Sequence, residues 1–367
     1  MLKKILILLA GSVFCVLFSC EEEAVYSVKV RLDNLEGKEV YAVYEADDMK
    51  KVDTLFSPGV NEFMLTETEE HFHSLTLYFE SPAQWITVYL EPGRRITVTG
   101  DLLYPQLIKV KGGRTNDLLT GFRDKSSALL KEQTDLMNTI DSLQEGQNPG
   151  KYISRLTNIR HELSLLADAF IKKYPDDRAS AVLIEEYFSD PDTPLLTEDY
   201  LNLLNPELDG FHVVKELKGN VEKAKRTVVG AKAPDFAVTG LNGTSFRPDS
   251  FAGRFLILAF VSAWPEADRT ERAPLGEILS ACPADRVDVM AVSLDEDPQP
   301  VREQIRRDSI AWNVVIDSAG EAIELMDLYN VNILPCYYLM DGEGTIRLKT
   351  ENGVVLKQAL EEWMDKN

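Results

Sequence analysis

The chain has 367 residues, which is too long for one ordinary hydrophobic core and predicts about two or three domains. Hydrophobic residues make up 44% and charged residues 27%, a composition typical of globular proteins. The 60 acidic and 39 basic residues give a formal net charge of -21, which argues against a nucleic-acid partner because a phosphate backbone requires a basic surface.

The N-terminus has the layout of a secretory signal. Lys3 and Lys4 precede the apolar stretch "ILILLAGSVFCVLF", which ends at Ser19 and Cys20 and is too short to span a membrane. The sequence "LFSC" resembles the lipobox of bacterial lipoproteins. This resemblance implies that residues 1–19 are a signal peptide and that Cys20 is lipidated and becomes the new N-terminus. An ordinary signal peptide with an incidental cysteine is the alternative.

Three consecutive glutamates, Glu21 to Glu23, follow Cys20 directly. Such a run resembles the signal that sends some Gram-negative lipoproteins to the outer membrane or the cell surface. A solvated tether over residues 20–25 is the simpler interpretation. The lipobox resemblance and this acidic run together lead us to expect a lipid-anchored protein of the Gram-negative envelope, on the periplasmic or the outer face of the outer membrane.

Residues 26–110 are expected to form a small antiparallel β-sandwich. Segments rich in Val, Tyr, Thr and Ile are separated by turn signals such as Glu36-Gly37 and Pro92-Gly93. The six predicted strands are "YSVKVRL", "EVYAVYE", "NEFMLTE", "SLTLYFE", "WITVYLE" and "RITVTGD". The stretches "VYLEPGRRITVTGD" and "VKGGRTNDLL" resemble an uncharacterised β-domain that precedes thioredoxin-like domains in many bacterial lipoproteins.

Residues 111–227 show apolar residues at helical spacing and predict a helical middle region. From residue 228 to 367 the pattern alternates between strands and helices. The apolar runs "RFLILAFVS" and "VDVMAVSLD" are typical of central strands, "CYYLMDGEGTIRLKT" indicates a hairpin, and a helix is expected from about Pro265 to Ala281. The predicted fold is therefore multidomain, α+β and α/β, and its C-terminal domain contains a mixed sheet with flanking helices.

The C-terminal domain resembles the thioredoxin-like domain of membrane-anchored bacterial thiol-disulfide oxidoreductases. The similarity rests on "GAKAPDFAVTGLNGTSFRPDSFAGRFLILAFVSAW" and on "YNVNILPCYYLMDGEGTI". It implies that Trp264 precedes the redox motif and that Pro335 is the cis-proline of the fold. The resemblance covers about 140 residues and includes peroxiredoxin-type proteins.

The resemblance fails at the redox motif itself. Where the family has Cys-x-x-Cys after Trp264, this chain has Pro265, Glu266, an alanine and Asp268. Thiol-disulfide exchange requires an attacking thiolate and a resolving thiol, and neither proline nor aspartate can replace them. The substituted residues instead suit the first turn of a helix, which tolerates proline and favours carboxylates.

The remaining cysteines are Cys282 and Cys336. Cys282 lies about 20 Å along the predicted helix from Asp268, whereas a disulfide needs Cα atoms within about 7 Å. Because Cys336 is next to the expected cis-proline, we predict two free thiols. Cys336 is either a buried strand residue or a reactive thiol.

We predict a redox-inactive domain that binds an extended peptide or protein in a groove between two segments. The groove residues are Trp264, Pro265, Glu266, Asp268, Leu334, Pro335 and Cys336. Strand addition beside the cis-proline provides the physical basis. The alternatives are a thiol-disulfide oxidoreductase or peroxidase-like enzyme acting through Cys336, and a structural packing module. No catalytic residues, cofactor or metal site are predicted, because the sequence lacks a phosphate loop, a nucleophile elbow and a metal-spaced histidine cluster.

Overall fold

The computed structural model describes residues 25–47, 49–56, 61–80, 84–144, 147–262, 269–283, 285–317 and 320–366. The chain divides into two compact units, Met1–Ile159 and Arg160–Asn367, and the division falls within one long helix. The predicted fold class is confirmed: a β-rich N-terminal region is followed by helices and by a C-terminal mixed sheet.

The first unit contains two four-stranded sheets. The strands are β1 (Tyr26–Asp33), β2 (Glu39–Glu45), β3 (Lys50–Phe56), β4 (Glu62–Glu67), β5 (Ser74–Phe79), β6 (Gln84–Tyr89), β7 (Arg95–Asp101) and β8 (Lys109–Lys111). One sheet has the order β4-β1-β7-β8, and the other has the order β3-β2-β5-β6. Strand β1 alternates buried and exposed residues, and the inward side chains of both sheets form one apolar core, as in a sandwich.

The expectation of a wholly antiparallel sandwich is wrong at one pair of strands. Strands β1 and β7 pair in parallel, with Val28 opposite Ile96 and Val30 opposite Val98. The chain between β1 and β7 includes all four strands of the second sheet, so β7 can run in the same direction as β1. A tight hairpin connects only antiparallel strands. All other strand pairs of this unit are antiparallel within the described residues.

A turn and a buried asparagine connect the sandwich to the helix that follows it. The helices α1 (Arg114–Lys125) and α2 (Ser127–Asp141) precede α3 (Gly150–Lys173), in which the two units divide. Gly112 has φ of 105°, and a Cβ there would lie 2.3 Å from the Arg95 carbonyl oxygen, so the turn requires glycine. Asn116 is 1% exposed and forms hydrogen bonds with both backbone groups of Tyr89.

The second unit begins with helices and ends with a mixed sheet. The helices are α4 (Arg178–Phe188), α5 (Pro194–Leu201), α6 (His212–Lys225), α7 (Arg269–Ala281), α8 (Pro298–Asp308), α9 (Glu321–Leu328) and α10 (Gly353–Lys366). The strands are β9 (Val238–Thr239), β10 (Ser245–Phe246), β11 (Phe255–Val261), β12 (Val287–Ser293), β13 (Asn313–Ile316), β14 (Cys336–Met340) and β15 (Ile346–Thr350).

The five-stranded sheet of this unit has the order β13-β12-β11-β14-β15. Strands β11, β12 and β13 are parallel, whereas β14 is antiparallel to both β11 and β15. All seven residues of β11 are buried, because apolar clusters pack on both faces of the sheet. Strand β11 is therefore the centre of the domain core. Burying one Leu, Ile or Phe side chain completely contributes about 1.5–3 kcal/mol to the free energy of folding.

Helices α7 and α10 pack closely against each other on one face of the sheet. Pro274 lies inside α7, where it cannot donate a backbone hydrogen bond. A Cβ built on Gly353, the first residue of α10, would lie 2.4 Å from the Pro274 Cγ atom. Glycine is therefore required at this crossing. Among the described residues, none of the helices has the length and apolar character needed to cross a membrane.

Candidate functional site

The carboxyl ends of the three parallel strands meet at one edge of the sheet. Ser262 follows β11, Asp295 follows β12 and Asp317 follows β13. The Ser293 hydroxyl donates hydrogen bonds to the Ser262 carbonyl oxygen at 3.2 Å and to Asp295 Oδ2 at 2.6 Å. The Asp317 N–H donates to the Asp295 carbonyl oxygen at 2.7 Å. Such edges are the usual ligand-binding sides of α/β sheets.

The Leu334-Pro335-Cys336 segment lies at this same end of the sheet. The Leu334–Pro335 peptide bond is cis, as the sequence analysis expected. Cys336 begins β14 and pairs with Phe260, two residues before Ser262. The other predicted groove residues, Trp264, Pro265, Glu266 and Asp268, lie outside the described residues. The structure therefore describes one side of the predicted groove.

The backbone before the cis-proline is open for pairing. The N–H groups of Asn332, Ile333 and Leu334 form no hydrogen bond within the described part of the chain. Asn332 and Ile333 are exposed, and Ile333 is 59% exposed. A backbone segment of this kind is available for strand addition by a peptide.

Two buried tyrosines fix the chain on either side of this open segment. The Tyr338 hydroxyl donates to the Tyr329 carbonyl oxygen at 2.5 Å, and the Tyr329 hydroxyl donates to the Pro234 carbonyl oxygen at 3.0 Å. Their rings meet edge to face with centroids 5.3 Å apart. Burial raises the pKa of both phenols well above the usual range, so both hydroxyls remain hydrogen-bond donors. The open segment is therefore held between rigid ends.

A pocket of about 400 Å³ lies beside the open segment. Its walls are the segments 330–333 and 349–352, together with Cys336, Pro191 and Asp192. Asp192 and Lys349 form an ion pair at 3.7 Å across the pocket lining. The sequence analysis did not identify these two residues, because they come from distant segments with no local motif.

The Cys336 thiol is poorly suited to act as a nucleophile. Cys336 is 4% exposed, and burial raises the pKa of its thiol to about 11, although Lys349 acts in the opposite direction. Glu351 and Asp192 raise the pKa further. Because the thiolate is the reactive form, the thiol is almost entirely protonated near neutral pH.

The second thiol lies on the other face of the sheet. Cys282 packs in the apolar cluster that contains Tyr337 and Leu339, whereas Cys336 packs in the cluster on the opposite face. Burial is also the main cause that raises the pKa of Cys282. Both thiols are free, as predicted. Within the described ranges, no three His, Cys, Asp or Glu side chains are grouped as metal ligands.

Comparison with known proteins identifies the C-terminal domain. Residues 229–349 match the AhpC/TSA family, and the β11–β15 sheet carries the cis-proline at its expected place. The C-terminal domain is thioredoxin-like. It resembles thiol-disulfide oxidoreductases, as the following relatives show.

The thiol-disulfide oxidoreductase ResA of Bacillus cereus is 28% identical over 149 residues, which cover 41% of this chain and 84% of the relative. The sporulation thiol-disulfide oxidoreductase A of Bacillus subtilis is 28% identical over 116 residues, covering 31% of this chain and 68% of the relative. Residues 26–119 match a domain of unknown function, DUF4369.

Solved structures that are similar to this chain include the following two. A thiol-disulfide oxidoreductase from Bacteroides fragilis has 24% identity and a TM-score of 0.33, and the match covers 36% of this chain and 98% of that chain. A thioredoxin-like protein from Bacteroides caccae has 17% identity and a TM-score of 0.41, with 58% and 82% covered.

Proposed function

We propose that the thioredoxin-like domain binds an extended peptide or protein segment beside Leu334 and Pro335 and does not catalyse thiol-disulfide exchange. The observation that carries this proposal is the open backbone of Asn332, Ile333 and Leu334 next to a pocket of about 400 Å³. The open N–H groups offer backbone pairing, and the pocket offers space for a peptide side chain.

Two properties of the chain argue against redox chemistry. The sequence between β11 and α7 contains no cysteine. We infer from the family resemblance that Pro265 and Asp268 stand where the related enzymes have their redox pair. The thiols present are on opposite faces of the sheet, and burial raises the pKa of each. Exchange needs an accessible thiolate and a second thiol within bonding distance.

Peptide binding is tested with the S-carboxymethylated insulin B chain, a flexible peptide without free thiols. We expect saturable changes in the backbone amide NMR signals of Asn332 and Ile333. The Ile333→Pro variant removes one N–H group and should weaken binding about fivefold or more, because one backbone hydrogen bond contributes about 1 kcal/mol. The matched control, Ile333→Ala, retains that N–H group.

Three outcomes of this titration can be distinguished. Selective loss of binding in Ile333→Pro supports the proposal. Equal weakening in the proline and alanine variants assigns binding to the side chain and overturns the strand-addition mechanism. Absence of any signal change in the parent protein favours the structural packing module.

The enzymatic alternative is supported by the names of the relatives and is tested separately. If Cys336 catalyses thiol-disulfide exchange, the parent protein reduces insulin in the presence of dithiothreitol and Cys336→Ser does not. We expect both proteins to match the rate of dithiothreitol alone. A rate in the parent that disappears in Cys336→Ser would overturn the redox-inactive proposal.

We also propose that the protein is an envelope lipoprotein anchored through Cys20, which lies outside the described residues. The basic start, the short apolar stretch and "LFSC" support this anchor, and Glu21 to Glu23 support an outer-membrane location. Several acyl chains would hold the protein firmly, because one chain alone binds membranes only marginally.

A further inference from the structure

A second pocket, remote in sequence from the cis-proline segment, lies along α8 and the edge strand β13. It is an open pocket with a volume of about 430 Å³, a size typical of small-molecule sites. Its apolar surface comes from Leu241, Ile305, Trp312 and Val314. The Leu241 N–H donates to the Val314 carbonyl oxygen at 2.7 Å, which fixes one wall on the edge of the sheet. We call this site the arginine pocket.

Two arginines one helical turn apart give this pocket its charge. Arg302 and Arg306 both line it, and no carboxylate is found among its described lining residues. Arg302 Nη2 donates to the Leu241 carbonyl oxygen at 2.7 Å, and Arg306 Nε donates to the Arg302 carbonyl oxygen at 3.3 Å. Neither guanidinium is paired with a carboxylate in the described part of the chain. This is a local excess of positive charge in a chain with a net charge of -21.

Trp312 contributes a large aromatic side chain to the lining of this pocket. The Nε1 atom of Trp312 is buried and has no hydrogen-bond partner among the described residues. This donor has almost no accessible surface, so the face of the indole ring, and not its N–H group, is what Trp312 offers to a ligand. The amide side chains of Gln299 and Asn313 also line the pocket and provide further polar groups.

We propose that the arginine pocket binds a small organic carboxylate with a flat apolar body. The carboxylate would accept hydrogen bonds from Arg302 and Arg306, whose planar groups match carboxylate oxygens. The flat body would lie against Trp312 and the aliphatic side chains. An inorganic anion would leave this apolar surface in contact with water, so the lining favours an organic ligand.

The test uses benzoate, neutral benzamide and inorganic phosphate as probes on ¹⁵N-labelled protein. The readout is the indole Nε1–H NMR signal of Trp312, assigned by its loss in Trp312→Phe. We expect benzoate to shift this signal saturably and to bind at least about tenfold more tightly than benzamide, because hydrogen bonds between charged groups exceed neutral ones. We also expect benzoate to bind more tightly than phosphate.

A pair of variants on one helix provides the control. Arg306→Gln should weaken benzoate binding about tenfold, whereas Arg307→Gln, an exposed residue outside the pocket lining, should not change it. Circular dichroism melting curves check that both variants fold. Equal affinities of the two variants, equal binding of benzoate and benzamide, or preferred binding of phosphate would each overturn the proposal. So would an unshifted Trp312 signal at saturating benzoate.

Discussion

Cys336 shows how strand alternation determines the chemistry of a single residue. On β14, Cys336, Tyr338 and Met340 face one apolar cluster, and Tyr337 and Leu339 face the other. The sequence allowed Cys336 to be either a buried strand residue or a reactive thiol. The structure favours the first, because its fractional exposure is 4% and burial raises its pKa. Sequence alone could not decide this, since the burial depends on residues from other strands and helices.

The reactivity of Cys336 gives the first prediction. In a Cys282→Ser variant, the alkylation rate by iodoacetamide should rise with pH around a midpoint near 11, compared with the ordinary thiol value of 9.0. At pH 8 this difference lowers the thiolate fraction roughly a hundredfold, because each unit of pKa is a factor of ten. Mass spectrometry of the modified peptide measures the rate. The unfolded variant in guanidinium serves as the control, and a native midpoint at or below 9 would contradict the prediction.

At the scale of an element, the contact between α1 and β6 depends on one buried polar side chain, that of Asn116. The Asn116 side chain donates to the Tyr89 carbonyl oxygen at 2.7 Å and to the Gly112 carbonyl oxygen at 3.0 Å. It also accepts a hydrogen bond from the Tyr89 N–H at 3.0 Å. The asparagine thus satisfies backbone groups of an edge strand and joins the start of α1 to the sandwich.

Replacing Asn116 should therefore destabilise the first unit. We expect Asn116→Ala to lower the free energy of unfolding by about 3 kcal/mol, because it removes three hydrogen bonds between the buried Asn116 side chain and the backbone of Tyr89 and Gly112. Urea titration followed by circular dichroism measures the change. Asn138→Ala, at an exposed position on α2, should change it by less than about 0.5 kcal/mol. Similar losses in both variants would show that Asn116 has no special structural role.

Long apolar or regularly alternating segments could be predicted from sequence, whereas short elements could not. Strands β11 and β12 were expected from their apolar runs, and both were found. The elements that were not predicted are β3, β8, β9, β10, β13 and α9. Strand β13 has four residues, β8 has three, and β3 has the weakly patterned sequence KKVDTLF. These strands depend on pairing with neighbours, which local sequence does not encode.

A pair of cysteines introduced at positions 265 and 268, which lie outside the described residues, tests the inferred register of the redox motif. If Pro265 and Asp268 occupy the two cysteine positions of the related enzymes, the double substitution Pro265→Cys and Asp268→Cys should form a disulfide in mild oxidant. The variant should also gain insulin-reductase activity, because a helix N-terminus lowers the pKa of a thiol. Thiol titration and an insulin assay measure both effects.

The single variant Asp268→Cys is the control for that experiment, because it has no partner thiol at position 265. A folded double variant that forms no disulfide would contradict the proposed register of the redox motif. A disulfide without reductase activity would leave the register intact. It would then imply that the segment beside Pro335 has also diverged from the enzymes.

At the scale of the whole molecule, the candidate site combines residues that are far apart in sequence. The resemblance to a known family identified Pro335 correctly as the cis-proline. The sequence analysis missed Asp192 and Lys349, which meet only after the helical segment folds beside the sheet. Tertiary contacts of this kind depend on the packing of a complete unit.

Anchoring of the whole chain gives the last prediction. We expect the mature N-terminal peptide to begin at Cys20 and to carry acyl chains, because the apolar stretch and "LFSC" resemble the processing signal of bacterial lipoproteins. Mass spectrometry of protein purified from membranes tests this directly. A Cys20→Ser variant should lack the lipid mass. An unmodified peptide that retains residues before Cys20 would contradict the prediction.

The crossing of α7 and α10 has a consequence for natural sequence variation. Because Pro274 occupies the space into which a side chain at position 353 would project, the two positions cannot vary independently. A residue larger than glycine at 353 becomes tolerable only when position 274 loses the proline ring, for example by change to alanine. Among descendants of this gene, substitutions at these two positions should therefore be inherited together, and a lone change at 353 should be purged by selection.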